Sequence, residues 1–453
     1  MPWFLRRNER AVAGYERARI WASAADRDFR RETAGDRSHR VFIEGEVIKE
    51  GAVDAEVRQT RGIERFRSLA LTPSGSAHLD LIRAAAAWAV MWGHLRGLFF
   101  VDFPQVARHS VWLGSIYFLT GFGHQAVMVF FVLSGFFISS AILKRHATRS
   151  WSWRDYAIDR SSRLYVVLIP GLMLGLLWDE LGSHRFAATG LYTHPLMNLG
   201  YAAAREGLTL KDFAGNILFL QTILCRTFGS NAPLWSLANE FWYYVLFPVA
   251  LSAVLAWANK RWRSATLLAI FAIAVAVFVG INILIGFLVW MAGCAVALVY
   301  SRFKLGARGW SIAYLAASLI ALATCLTSAR IGTPARLGGD IVVGVVFAVV
   351  LFGVLQIDFR AQHSRYLRFT HWCAGFSYSL YVLHFPLLLF LRAWLAPTQR
   401  WQPDLSHVSR GALIGAVVLA FAWAVSLVTE NQTSVVRNWA KKAILGATRD
   451  AVR

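Results

Sequence analysis

The sequence predicts an all-α membrane protein: a polytopic helical bundle of about ten transmembrane helices with both termini cytosolic. Three observations carry this reading. Of 453 residues, 57% are hydrophobic and 16% charged, and the mean hydropathy is +0.46, whereas soluble globular chains carry about 25% charged residues. Apolar runs long enough to cross a bilayer recur from Leu79 onward. Basic residues concentrate in alternate connections between those runs, which is the positive-inside pattern. The net charge of +21 therefore belongs to cytosolic loops beside a lipid bilayer, and no nucleic-acid partner is expected.

Residues 1–76 are polar, mixed in charge and rich in Arg and Glu, and read as a cytosolic N-terminal tail without the apolar core of a secretory signal. A transmembrane domain is expected over 77–432, and 433–453 read as a cytosolic C-terminal tail. The first two spans are placed at roughly 80–101 and 116–143. The basic loop KRHATRSWSWRDYAIDRSSR leads into a third span at roughly 164–181. A long external stretch follows, roughly 182–233, with a short apolar helix expected near NILFLQTIL, too short to span comfortably. The fourth span begins near LWSLANEFWYYVLFP and ends before NKRWR. Spans five and six are expected at roughly 264–280 and 282–301, a hairpin split at Gly280–Asn282. The last four are expected at about 310–327, 339–357, 374–393 and 411–429. Loops 144–163, 259–263, 302–308 and 358–371, with the C-terminal tail, carry most of the Lys and Arg and are assigned to the cytosol. The four cysteines, Cys225, Cys294, Cys325 and Cys373, form no CxxC pair and read as core residues, so no metal is expected.

Ionisable groups inside a bilayer cost about 2.5–3.5 kcal/mol each on insertion scales, so each is a candidate for function. Arg83 and His94 lie on one apolar helix, eleven residues apart. Eleven steps return to within about 20° of the same face and separate the two by about 16 Å. His94 reads either as a neutral interhelical hydrogen-bond partner or as a general base or acyl acceptor. Arg83 reads either as an interfacial anchor or as an anion-binding residue. Glu240, in WSLANEFWYY, is placed near the outer interface at the level of His94 or slightly above, and reads either as a helix-entry charge or as a carboxylate that orients a histidine or meets a polar substrate. His384, in SYSLYVLHFPLL, shares a helix with Tyr378 and Tyr381 and reads first as packing glue between helices. Ser134 and Gly135, in FFVLSGFF, allow a backbone or a ligand to come close. Arg160 and Arg163, three apart at the mouth of span three, share a face and read either as positive-inside charges or as a pair suited to phosphate.

These stretches, in this order, resemble the acyltransferase 3 family of integral membrane acyltransferases. LDLIRAAAAWAVMWGH is similar to that family's first helix, AVMVFFVLSGFFIS to its second, RSSR to its Arg-x-x-Arg, and NAPLWSLANEFWYYVLFP to its Trp-Ser-Leu…Glu motif. FSYSLYVLHFPLL and LVTENQ, with Glu430, resemble its last two helices. The resemblance covers about 79 to 432. Many members carry Asp where this chain has Met128, and a second glutamate where it has Phe241. The resemblance implies transfer of an acyl group, usually acetyl from acetyl-coenzyme A, to a hydroxyl of an extracytoplasmic glycan, polysaccharide or lipid-linked sugar, in the cytoplasmic (inner) membrane. It implies His94 as the catalytic residue, Arg83 as its companion and Glu240 on the acceptor side. Arg160 and Arg163, with Arg154 nearby, would hold coenzyme A or another acyl-CoA. Ser134, Tyr378 and His384 are further polar candidates. A transporter or flippase of a sugar or lipid intermediate, without acyl transfer, is the alternative use of the same parts.

Overall fold

The computed structural model describes residues 71–306, 308–331, 336–357 and 364–450. Among them the chain is helical, with no named strand. Thirteen α-helices follow one another: α1 Pro73–Phe99, α2 Val111–Leu119, α3 Gly123–Ala147, α4 Trp153–Arg185, α5 Leu210–Ile217, α6 Trp235–Ala258, α7 Trp262–Tyr300, α8 Arg308–Ile331, α9 Arg336–Gln356, α10 Ser364–Ala374, α11 Ser377–Leu395, α12 Leu405–Val428 and α13 Thr433–Asp450. Most of the expected N-terminal tail, residues 1–70, lies outside the described residues. The first helix starts earlier than its apolar run, because Thr72 accepts the Gly75 N–H at 3.0 Å and Pro73 takes the first helical position.

Eight segments of the described helices are long and apolar enough to cross a membrane. α1 is not among them, since His78, Asp80, Arg83, His94 and Arg96 lower its hydropathy. The eight include α7 as one piece, yet its backbone leaves the helical region at Gly280 (φ 77°, ψ 171°). Gly280 lies beside His124, Trp235 and Asp340, near the first residues of α3, α6 and α9. At the opposite end, just past the last residue of α7, the Leu305 N–H meets Gln356 Oε1 at the close of α9, at 3.1 Å. α7 is therefore the expected hairpin, and with α1 it accounts for the ten anticipated segments. The protein is an integral, multi-pass membrane bundle. Leu267, Ile270, Ile273 and Val277 on the first half of the hairpin stand exposed, a surface that hydrocarbon chains cover.

Small residues set the closest contacts. A Cβ at Gly135 would overlap the Trp290 carbonyl oxygen, and one at Gly293 would overlap that of Val132. Backbone thus meets backbone between α3 and the second half of α7. The other half of the pair expected to admit a ligand or a backbone, Ser134, faces a cavity.

The short helix expected near NILFLQTIL is α5, Leu210–Ile217, capped by Thr209 and ending on the first two residues of that stretch. The rest of NILFLQTIL is a turn, with Phe219 at φ 56°, Thr222 at φ 70° and buried Gln221 donating from Nε2 to the Leu234 carbonyl at 3.0 Å. Two segments read as loop and tail are helical. Part of the basic loop 358–371 is helix α10, whose Tyr366 hydroxyl meets His78 Nδ1 on α1 at 2.7 Å; residues 358–363 are outside the described residues. The C-terminal tail is helix α13, held to α4 by Lys441, whose Nζ is 2.9 Å from Asp159 Oδ1.

Replacing Gly293 by Ala forces the α3–α7 contact apart. Its expected cost is about 1–3 kcal/mol or more, read as a lowered thermal midpoint of the detergent-solubilised protein, while Gly309→Ala, with open space around its Cβ position, leaves the midpoint in place.

Candidate active site

Two cavities lie along α1. The first, about 410 Å³, receives Asp80 and Arg83 from α1, Ser134 from α3, Arg160 and Arg163 from α4, Glu240 and Tyr244 from α6, and Tyr378 and Tyr381 from α11. The second, about 710 Å³, receives His94 and Arg96 from α1, His124 from α3, Trp235 from α6, Asp340 from α9, Tyr381 from α11, and Asn198 and Tyr201 from the long connection between α4 and α5. Val127 and Tyr381 line both. The spacing of Arg83 and His94 thus puts the arginine in one cavity and the histidine in the other, with the Val127–Tyr381 wall between.

In the first cavity Arg83 donates from Nη2 to Asp80 Oδ1, one turn earlier, at 2.8 Å. The guanidinium of Arg160 lies over the ring of Tyr244, 5.9 Å from its centroid. Buried Nε atoms of Arg83 and Arg160 and Nη2 of Arg154 have no hydrogen-bond partner. Buried donors on cations call for an anion, so the arginine side fits a phosphate-bearing ligand. Arg154 lines neither cavity; six residues before Arg160, it sits about 9 Å nearer the start of α4. That end of the bundle also carries Arg145, Lys260, Arg302 and Lys441.

Glu240 is not at the level of His94. It lines the arginine cavity and accepts a hydrogen bond from Tyr244, four residues along α6. Ser134 Oγ donates to the Tyr244 hydroxyl at 3.5 Å and accepts from Trp290 Nε1 at 3.2 Å, so a relay of donors running from buried Trp290 ends on the carboxylate. The carboxylate lies deeper than expected because α6 begins inside the bundle. Phe228, Ser230, Asn231, Pro233 and Leu234, which precede it, are buried. Asn231 Nδ2 donates to the Val382 carbonyl at 2.8 Å, and buried Asp179 accepts the Ser230 N–H at 2.7 Å. Tyr378 donates to the Leu164 carbonyl at 3.2 Å, and Tyr381 to that of Pro233 at 3.1 Å.

In the second cavity His94 Nδ1 meets His384 Nε2 at 2.8 Å, and His94 Nε2 meets the Tyr201 hydroxyl at 2.8 Å. His384 Nδ1 is 2.9 Å from the Leu380 carbonyl, which only accepts, so that nitrogen carries a proton. His384 is 1% exposed, and a second proton would bury an imidazolium at high cost. Its Nε2 therefore accepts, His94 Nδ1 donates to it, and His94 Nε2 holds a lone pair toward Tyr201. His384, read first as packing glue, thus sets the tautomer of His94. A second pair, His124 Nε2 with Asp340 Oδ1 at 2.8 Å, ties α3 to α9 at the rim. Among the described residues no group of three or more His, Cys, Asp or Glu side chains is placed to hold a metal ion.

Of the residues singled out from sequence, Arg83, Ser134, Arg160, Arg163, Glu240 and Tyr378 meet in one cavity, and His94 and His384 meet at the other. Tyr244 and Tyr381 were legible only as helical neighbours of Glu240 and His384. Tyr201, His124 and Asp340 gave no sequence signal. Glu430 closes the base of α11, its Oε2 accepting the Ser379 N–H at 3.0 Å and the Ser379 hydroxyl at 3.1 Å.

Fold and cavities together define a polytopic membrane bundle with an anion-suited cavity and a histidine chamber on one helix. The sequence profile of the acyltransferase domain that defines the acyltransferase 3 family matches residues 76–428, and the chain belongs to that family. It is similar to "Putative peptidoglycan O-acetyltransferase YrhL" of Bacillus subtilis (strain 168), at 22% identity over 299 residues. That alignment covers 59% of this chain and 44% of the relative, so the chain matches less than half the relative's length. No solved structure matches the chain.

The wall is open to test. With Ser134→Cys as the sole thiol, an impermeant maleimide supplied at the His94 end should label weakly; adding Tyr381→Ala, which joins the cavities, should raise labelling about tenfold at constant expression.

Proposed function

We propose that this protein is an O-acyltransferase that moves an acyl group, acetyl in the first instance, from coenzyme A to a hydroxyl of an extracytoplasmic glycan. The observation that carries the reading is the pair of cavities on α1: unpartnered arginine donors in one, a histidine lone pair in the other, and one tyrosine wall between them. Family membership supports acyl transfer. The name of the Bacillus relative supports a glycan hydroxyl as acceptor. The basic end of the bundle faces the cytosol by the positive-inside rule, which puts the arginines on the side where coenzyme A is made and His94 toward the outside of the cytoplasmic membrane.

Arg160 and Arg163, with Arg154 at the entrance, hold the phosphates of the donor, and Arg83, fixed by Asp80, meets the donor deeper in the cavity. Glu240 and Asp80 in the lining, with Glu430 close to Arg163 and Arg83, offset the arginine charge, and the open guanidinium donors are what a phosphate-bearing ligand would take. His94 is a general base rather than an acyl carrier. Its Nδ1 is committed to His384, and its Nε2 lone pair is the position that takes a proton. An acyl group on Nε2 would have to displace the Tyr201 hydroxyl.

The deciding experiment is transfer of labelled acetyl from acetyl-coenzyme A in membrane vesicles that carry native acceptor. Wild type should form a base-labile ester, and His94→Ala at equal expression should lose about 10²–10⁴-fold in rate; equal rates would remove His94 from the chemistry, and no label in either would remove the donor. Arg160→Gln and Arg163→Gln should each raise KM for the donor about tenfold, the scale of a lost charge-assisted hydrogen bond. His384→Ala should lower kcat about tenfold or more, with partial recovery in His384→Gln, whose amide oxygen still accepts from His94. Exchange of acetyl between coenzyme A molecules without acceptor should be absent.

A further inference from the structure

The connection between α4 and α5 delivers a phenol to the working nitrogen of His94. Residues 196–201 form a tight turn: the Leu196 N–H donates to the Tyr201 carbonyl at 2.8 Å, the Tyr201 N–H returns to the Leu196 carbonyl at 3.2 Å, and Gly200 takes φ +70°. The turn is fastened to α1 one turn beyond His94, where Asn198 Nδ2 donates to the Gly97 carbonyl at 2.8 Å. Leu199 packs where Gly97 lacks a Cβ. The Tyr201 ring is further held edge-on to Phe385, centroids 5.1 Å apart. This side chain is positioned from three directions and does not swing freely.

Its hydroxyl lies 2.8 Å from His94 Nε2 and its side chain lines the 710 Å³ chamber. With Nδ1 bound to His384, both ring nitrogens of His94 are engaged. A hydroxyl arriving in the chamber meets the oxygen of Tyr201, which still has a lone pair to accept with. Burial pushes the Tyr201 phenol up to about 12, so at neutral pH it carries its proton and stands as donor to His94.

We propose that Tyr201 is a further catalytic residue, relaying the proton of the acceptor hydroxyl to His94 Nε2. This rests on the acyltransferase reading above. As the acceptor oxygen forms its bond to the thioester carbon, its proton passes to Tyr201 Oη, and the proton of Tyr201 passes to Nε2. For this the thioester passes from the arginine cavity between Val127 and Tyr381, the residues common to both cavities, to reach the acceptor oxygen; the carbon–sulfur bond then breaks, and the thiolate released is balanced by the proton now on His94, which it recovers to leave as the thiol. Hydroxyl and thioester give ester and thiol, with Tyr201 and His94 restored.

The test is Tyr201→Phe, alone and in a His94→Ala background, in the acetyl-transfer assay with wild type alongside. Tyr201→Phe should lower kcat about a hundredfold and move KM for donor and acceptor less than about twofold. In the His94→Ala background it should cost nothing more, since two residues acting as one unit are not additive. A Tyr201→Phe rate equal to or above wild type would overturn the relay and make Tyr201 a placeholder that substrate displaces. Losses that add in the double variant would also overturn it. If Tyr201→Phe does not fold, a fluorinated tyrosine at 201, which acidifies the phenol without changing its shape, should shift kcat; an unchanged kcat overturns the proposal. Active wild type with an indifferent Tyr201 defeats the relay alone, whereas inactive wild type defeats the acyltransferase reading and the relay together.

Discussion

The hydrogen bond between His94 and His384 joins α1 to α11, and the arrangement of both cavities depends on that pairing. The two helices present matched stripes. On α11, Tyr378, Tyr381 and His384 follow at three-residue steps, about 4.5 Å apart along the axis. Tyr378 lines the arginine cavity, Tyr381 the wall, and His384 reaches His94 from behind the histidine chamber. On α1, Arg83 and His94 mark the two ends of the same path. Sliding either helix by one turn would part the histidines and remove Tyr381 from the wall. The Leu380 carbonyl matters for the same reason: as an acceptor that cannot donate, it fixes the proton on His384 and, through it, the lone pair on His94.

The bundle meets the cost of charge inside hydrocarbon by local pairing rather than by exclusion. Arg83 leans on Asp80 one turn away, and Arg145 and Lys441 share Asp159. Glu240 takes its hydrogen bond from Tyr244. Among the buried polar atoms left without a partner are the Nε donors of Arg83 and Arg160 in the first cavity. A bundle built only for stability would have satisfied these atoms internally. Leaving them open makes the cavity a receptor for a group that brings its own oxygens.

The long connection between α4 and α6 shapes the acceptor side twice. Its last residues, buried and tied to Asp179 and Val382, start α6 inside the bundle, which carries Glu240 down to the arginines. Its first part returns over α1 and brings Tyr201 onto His94. Helices supply the rigid positions, and an irregular segment folded against them supplies the group closest to the histidine. Irregular backbone at this depth is tolerated because it is covered by protein and faces a cavity.

The sequence by itself determined the class of the fold and the hairpin at Gly280, because hydropathy and helix length act locally along the chain. It also marked Arg83, His94 and Glu240, since an ionisable residue in an apolar run is conspicuous wherever it points, and Arg160 and Arg163 by their three-residue spacing. Helical periodicity placed Arg83 and His94 on one stripe. It gave no partner to either, and so could not show that they serve separate cavities. Depth arithmetic put Glu240 beside His94 on the assumption that α6 starts at the membrane surface; a buried approach segment decided otherwise. The tautomer of His94, the role of His384 and the presence of Tyr201 depend on contacts between residues 107 to 290 positions apart. Only the tertiary structure decided them, because hydrogen bonds across helices are set by packing and leave no trace in the period of either helix.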